Sequence, residues 1–147
     1  MLNIKVKSFK ELSSDELYEL LELRSEVFVV EQSCIYQDVD GKDRKAIHVL
    51  GEKAGKIVAY TRIFKAGDYF EYPSFGRVVV KETERKYGYG HDIIKASVDA
   101  IRSFDPESKI KISAQSYLRK FYESHGFFQE GEEYLEDGIP HISMLKE

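Results

Sequence analysis

Cysteine is nearly absent from this chain. The single thiol, Cys34, excludes an intrachain disulfide and fits a reducing compartment, so a cytoplasmic setting is expected. No apolar run approaches the roughly 20 residues that a membrane helix needs, and no membrane role is expected. The first ten residues alternate in polarity rather than forming a signal peptide. There is no repeat, low-complexity tract or linker, so residues 1–147 read as one domain. Positive charge is not in excess either. The formal net charge of −4 argues against a nucleic-acid-binding surface and is compatible with a cationic or amine substrate.

What is present suffices for a folded domain. Hydrophobic residues make up 42% and charged residues 33% of 147, enough for a sizeable core. Residues 3–9 alternate as a strand. Ser13 and Glu16 form a capping box and Leu12 and Leu17 a hydrophobic staple, which predicts a helix whose face carries Leu17, Leu20, Leu21, Arg24 and Phe28. A loop follows over 36–45. Its Asp38, Asp40, Gly41 and Asp43 suggest calcium, but an EF-hand register puts Tyr36 and Ile47 at both terminal ligand positions, so no metal is expected. Residues 46–53 and 56–65 form a hairpin around Ala54-Gly55, and 70–81 supply the next strand. A helix ending near Phe104 is stopped by Asp105-Pro106. Strand 109–114, a helix ending before Gly126, and strands 127–131 and 139–145 complete the order. Helices would cover both faces of a mixed sheet, an α/β (α+β) arrangement.

The chain is organised around residues 76–94. Val78-Val79-Val80 reads as a buried strand, residues 82–86 as a loop, and the periodicity from Tyr89 onward as a helix. The first amides of a helix lack internal partners and sit at the positive end of its dipole. Gly88 and Gly90 allow close backbone approach, so this join suits a phosphate. Neither the P-loop pattern nor the Rossmann fingerprint fits; the latter would need glycine at Ile93.

Arg85-Lys86-Tyr87-Gly88-Tyr89-Gly90 has the form R-x-x-G-x-G. It resembles the pyrophosphate-binding loop of the GNAT superfamily of N-acetyltransferases. Phe121-Tyr122-x-x-x-Gly126-Phe127 is similar to a second landmark of that family, and the element order fits over essentially the whole chain. The stretches 24–32, 76–80, 114–115 and 137–144 are closer to its ElaA-like branch. The resemblance implies a single GNAT-like domain with a mostly antiparallel sheet of about seven strands. It implies central strands splayed to admit acetyl-CoA, and transfer of an acetyl group to a primary amine by direct attack. The main chain of Val78, Val79 and Val80 would hold the pantetheine arm, and residues Arg85 to Gly90 the pyrophosphate. Gln115 stands where many members carry Asn. Tyr122 occupies the family's position for the acid that protonates the departing thiolate.

An attacking amine with the pKa of lysine, ~10.4, is mostly protonated at pH 7, a penalty near ~4.6 kcal/mol that a general base would offset. Glu31, His48 and His141 are the candidates; the alternative for each histidine is a satisfied buried ring. On the acceptor side stand Arg24, Phe28, Arg62 and Arg77. If the arginines face one cavity the acceptor carries an anion, and if each has a carboxylate partner they are structural. Two further readings are longer-chain acyl transfer and a non-catalytic CoA-binding module. The first rests on a likeness of Val27-Phe28-x-x-Glu31-Gln32 to acyl-homoserine-lactone synthases. The acceptor, and the choice between monomer and homodimer, stay open.

Overall fold

The first helix begins where its local chemistry directs. The Glu16 amide donates to Ser13 Oγ at 3.1 Å and the Ser13 amide donates to the Glu16 carboxylate at 2.9 Å, closing the capping box. Helix α1 (Ser14–Arg24) does not then continue regularly to Phe28. It widens into a π-helical segment, Ser25–Glu31, with five-residue bonds from Gln32 N to Val27 O and from Cys34 N to Val29 O, both 3.1 Å. The wider turn buries the adjacent Val27 and Phe28 together and carries Glu31 and Gln32 to the lip of a cleft.

The computed structural model describes residues 2–147. After β1 (Asn3–Ser8), α1 and the π segment come β2 (Ile47–Lys53), β3 (Lys56–Phe64) and β4 (Ser74–Val80). A 3-10 turn (Glu82–Tyr87) leads to α2 (Tyr89–Phe104), then β5 (Ile110–Gln115), α3 (Arg119–Glu123), β6 (Phe127–Glu136) and β7 (Ile139–Lys146). Strand β4 starts four residues later than expected, because residues 66–72 form turns and bends. Strand β6 runs five residues past its expected end, through an irregularity between Glu130 and Tyr134. Among the described residues no helix is long and apolar enough to cross a membrane.

The seven strands do not form one mixed sheet. They form two antiparallel sheets, ordered β1-β2-β3-β4 and β5-β7-β6. The sheets meet at one end, where the Lys111 amide donates to the Pro73 carbonyl at 3.0 Å. Beyond that point β4 and β5 part, and a bulge in β4 helps to explain why. Tyr60 pairs with Val79 and Arg62 with Gly76, so Arg77 and Val78 together oppose Thr61. The extra residue bends and twists the strand. Arg77 takes it up at φ 50°, a conformation that costs a non-glycine residue about 1 kcal/mol or more.

Both faces of the four-stranded sheet are covered. Leu20, Leu23, Val27 and Phe28 pack on Leu50, Tyr60 and Val79 on one side. On the other, Ile93, Ile94 and Ile101 of α2 join Val49, Ala59 and Ile63, and this core continues into the second sheet through Ile110, Ile112, Ile142 and Met144. The fold thus leaves a wedge between β4 and β5, with the N-terminus of α2 beside it.

Candidate active site

The wedge opens into a cleft of about 420 Å³. Val78, Val79 and Val80 line one wall, and Ser113, Ala114 and Gln115 the other. Gln115 Nε2 lies 3.4 Å from Gln32 Oε1, bridging β5 to the π segment across the cleft. A second bridge lies nearby, where Cys34 Sγ sits 3.5 Å from the carbonyl of Asp137 in the β6–β7 turn.

Tyr122 stands in this cleft, presented by α3. It is 4% exposed, and its ring packs against Phe75, Phe121 and Phe127. Burial, with a smaller contribution from Tyr117, pushes its phenol well above the usual value. The group therefore stays protonated throughout the physiological range, as a proton donor must.

At the expected phosphate turn, Gly88 has φ 75° and precedes α2. The first helical bonds run from the amides of His91 and Asp92 to the Gly88 carbonyl, at 3.1 and 3.3 Å. The amides of Gly88, Tyr89 and Gly90 come before them and have no partner inside the helix. A Cβ at Gly88 would meet nothing within 4 Å, and one at Gly90 would touch the Phe121 ring at 3.5 Å, so the turn is open to a ligand's phosphates. Tyr87 and Tyr89 lie 4.2 and 6.0 Å from Lys53 Nζ and line a shallow groove with Leu2 and Ile4, away from the cleft. Lys86 is exposed, and Arg85 is already engaged. Arg85 Nε donates to the Val80 carbonyl at 3.0 Å, and its two terminal nitrogens hold Glu31 at 2.7 and 2.8 Å. These bonds keep the Glu31 carboxyl below its ordinary range. Glu31 lines the cleft, but a carboxylate tied in this way is a poor general base.

The histidines divide. His48 is fully buried and outside the cleft: Nε2–H donates to the Asp43 carbonyl at 2.9 Å, and Nδ1 accepts from the Tyr60 hydroxyl at 2.6 Å. Burial lowers its pKa, so it is a neutral, satisfied core group and no catalytic base. His141 lines the cleft with 7% exposure. Its Nδ1–H donates to the Ile139 carbonyl at 2.7 Å, and its Nε2 lies 3.4 Å from Glu136 Oε2. Sequence reasoning missed Glu136. The two-residue turn at Asp137-Gly138, with φ 50° and 76°, sets Glu136 opposite Ile139, so strand alternation brings it toward the His141 face.

The arginines also divide. Arg24 is fully buried and does not reach the cleft. It donates to Asp38 Oδ2 at 2.9 Å, Asp43 Oδ1 at 2.7 Å and the Asp38 carbonyl at 2.9 Å. Arg62 donates to both oxygens of Asp40, at 2.9 and 2.7 Å, and to Asp43 at 3.1 Å. Burial acts against ionisation of Asp40 and Asp43, but the bonds from Arg62 and Arg24 more than offset it and hold both carboxyls low. Arg77 Nε lies 2.8 Å from Asp38 Oδ1. The aspartates that raised the question of calcium are thus the partners of the three arginines. Arg24 is withdrawn as an acceptor-binding group; Arg62 lines the cleft but is held by Asp40 and Asp43. Arg77 and Phe28 line the cleft.

Comparison with known proteins places this architecture. A family model described as an acetyltransferase (GNAT) domain matches residues 10–147. The chain is 44% identical over 139 residues to the protein ElaA of Escherichia coli, covering 93% of this chain and 91% of that one. It superposes on the E. coli ElaA crystal structure with a TM-score of 0.93 over all of both chains, at 41% identity. An acyl-CoA N-acyltransferase from Pseudomonas aeruginosa gives 0.94 at 37% identity, again over both whole chains. The AHL synthase LasI, at 12% identity and 0.77 over 99% of this chain and 89% of that one, shares the fold alone. With the splayed strands and open helix N-terminus described above, these likenesses establish that the chain belongs to the GNAT acetyltransferase family.

Proposed function

We propose that the protein transfers an acetyl group from acetyl-CoA to a primary amine within a ternary complex, in a cytoplasmic setting. The observation that carries this reading is Tyr122, a buried side chain whose hydroxyl has no hydrogen bond among the described residues, lining the wedge between β4 and β5. The wedge walls turn main-chain groups of Val78, Val80 and Gln115 toward a pantetheine arm, although the Val80 carbonyl also accepts from Arg85 Nε. The open amides of Gly88 to Gly90 suit the pyrophosphate. The splayed strand edges and unpartnered helix amides fit the cosubstrate.

The reaction forms a C–N bond and breaks a C–S bond. Tyr122 supplies a proton to the sulfur as it leaves, and His141 Nε2 removes one from the attacking amine. Glu136, 3.4 Å from that nitrogen, is placed to balance the positive charge the ring then carries. The protein's part is otherwise positioning, by walls that exclude water from the thioester.

Calorimetric titration with acetyl-CoA, CoA and inorganic pyrophosphate tests the pocket. All three are expected to bind, and Gly90→Glu, which adds a carboxylate at the phosphate turn, is expected to abolish binding. Failure of both CoA forms at millimolar concentration would remove the transferase reading. Competition by longer acyl-CoAs exceeding that of acetyl-CoA would favour the longer-chain alternative.

A further inference from the structure

Resting on the transferase reading, we infer that the acceptor is a cationic amine with an apolar body and no acidic group. The inference starts from which charges in the cleft are already cancelled. Arg24, Arg62 and Arg77 face Asp38, Asp40 and Asp43, three guanidiniums against three carboxylates within one contact network. Arg85 is spent on Glu31. No cleft-lining cation among the described residues is left without a carboxylate partner to receive the carboxylate of an amino acid.

The remaining charge is negative. Glu136 and Asp137 both line the cleft, where the β6–β7 turn approaches Cys34. Among the described residues, the Glu136 carboxylate is held only by Ser113 Oγ, at 3.5 Å, and His141 Nε2, at 3.4 Å. An incoming ammonium meets these carboxylates before it reaches His141. The imidazole Nε2 there has Glu136 Oε2 as its polar neighbour at 3.4 Å and belongs to a side chain more than nine-tenths buried. An acceptor carrying its own carboxylate meets like charge at the same place, in a partly desolvated site where repulsion is strong.

The remaining wall is aromatic. Phe64 and Tyr69 stack with ring centroids 5.2 Å apart, and Phe70 packs edge-on to Tyr69 at 4.7 Å. With Phe28 they give the cleft an apolar side that suits a hydrocarbon or aryl body; Arg62, Lys42 and Lys111 already lie over the Phe64, Tyr69 and Phe70 rings, so this wall receives the body and leaves the ammonium to the carboxylates.

Matched acceptors test this. Phenethylamine, phenylalanine and phenylalanine methyl ester differ in charge while sharing the body; tyramine and tyrosine form a second pair. The expected order of kcat/KM is amine, then ester, then amino acid, with at least about a tenfold gap between the first and last. The gap should narrow as salt is raised. It should shrink about tenfold in the Glu136→Gln, Asp137→Asn double variant, whatever that variant does to turnover itself. Amino acids acetylated as well as their amines would overturn the inference and make Arg77 the anion's partner. If acetyl-CoA binds but no amine turns over, the transferase reading fails separately. The charge preference is then read by calorimetry of the same acceptors against the protein–CoA complex. Equal or tighter binding of the amino acids there would overturn it, and tighter binding of the amines would uphold it.

Discussion

In the four-stranded sheet and the elements packed on it, charge is buried and cancelled: Arg24 at 0% exposure and Arg62 at 2% sit among aspartates that neutralise them. In the three-stranded sheet, charge stands at the rim, where Glu136 and Asp137 face the cleft with few partners and only His141 is buried beside them. A buried arginine with a lowered-pKa carboxylate looks like catalytic machinery, yet here it ties the 36–45 loop to the sheet. The group to examine is the one whose bonds are incomplete. Tyr122 and His141 Nε2 meet that description; His48 and Arg24 do not.

The most severe way to break this contrast is Arg24→Ala, which takes from each of the buried Asp38 and Asp43 carboxylates one of its two guanidinium partners. It should lower unfolding free energy by about 3–5 kcal/mol, read from urea denaturation, with the fold lost at moderate temperature. A loss below ~1 kcal/mol would show that the network is not holding the loop. Tyr122→Phe should do the opposite: turnover falls about a hundredfold, while stability and acetyl-CoA affinity hardly change, because the hydroxyl removed has no hydrogen bond among the described residues. Undiminished turnover would take Tyr122 out of the mechanism.

Acid should sharpen the contrast at intermediate size. His48 is lowered from its ordinary 6.5 by burial. Asp40 and Asp43 are held below their ordinary 3.8, burial opposing and the arginine bonds prevailing. In each case the folded state binds fewer protons than the unfolded chain. Stability is therefore full above the unfolded value and declines as pH falls through it, first below about 6.5 and again below about 4. Urea midpoints across that range would show both declines. Asp43→Asn should shrink the lower one and keep the upper, slightly deepened, since His48 still bonds the main-chain carbonyl of residue 43 but loses the carboxylate that favours its charged form. The smallest effect is expected from Glu31→Gln. That exposed pair with Arg85 should be worth under ~0.5 kcal/mol, and turnover should survive. Loss of activity there would restore Glu31 as a base.

Local chemistry made much of the fold legible. The Ser13–Glu16 capping box, the α2 periodicity and the Asp137-Gly138 turn are all formed by neighbours in sequence. The π segment was not legible, because Val27 to Glu31 carries no local cue for a wider turn, which goes with the packing of Val27 and Phe28 on Tyr60 and Val79. The separation into two sheets depends on a bulge at Arg77, a residue with no turn propensity of its own. In the site, Tyr122 and the glycine turn could be read from motif spacing. The pairing of Arg24 with Asp38 and Asp43 spans 14 and 19 residues and had no local cue. Glu136 lay one residue outside the stretch that drew attention.

The divergence of β4 and β5 past the Lys111–Pro73 bond also bears on self-association. A strand edge with free amides and carbonyls normally invites another strand, and from there aggregation. Here two such edges face each other inside a cleft whose mouth is bridged by Gln115–Gln32 and Cys34–Asp137. A second sheet does not fit between them, whereas a single thin chain with amides of its own does. The narrowing that shapes a ligand channel thereby also shields the edges that line it from other copies of the protein.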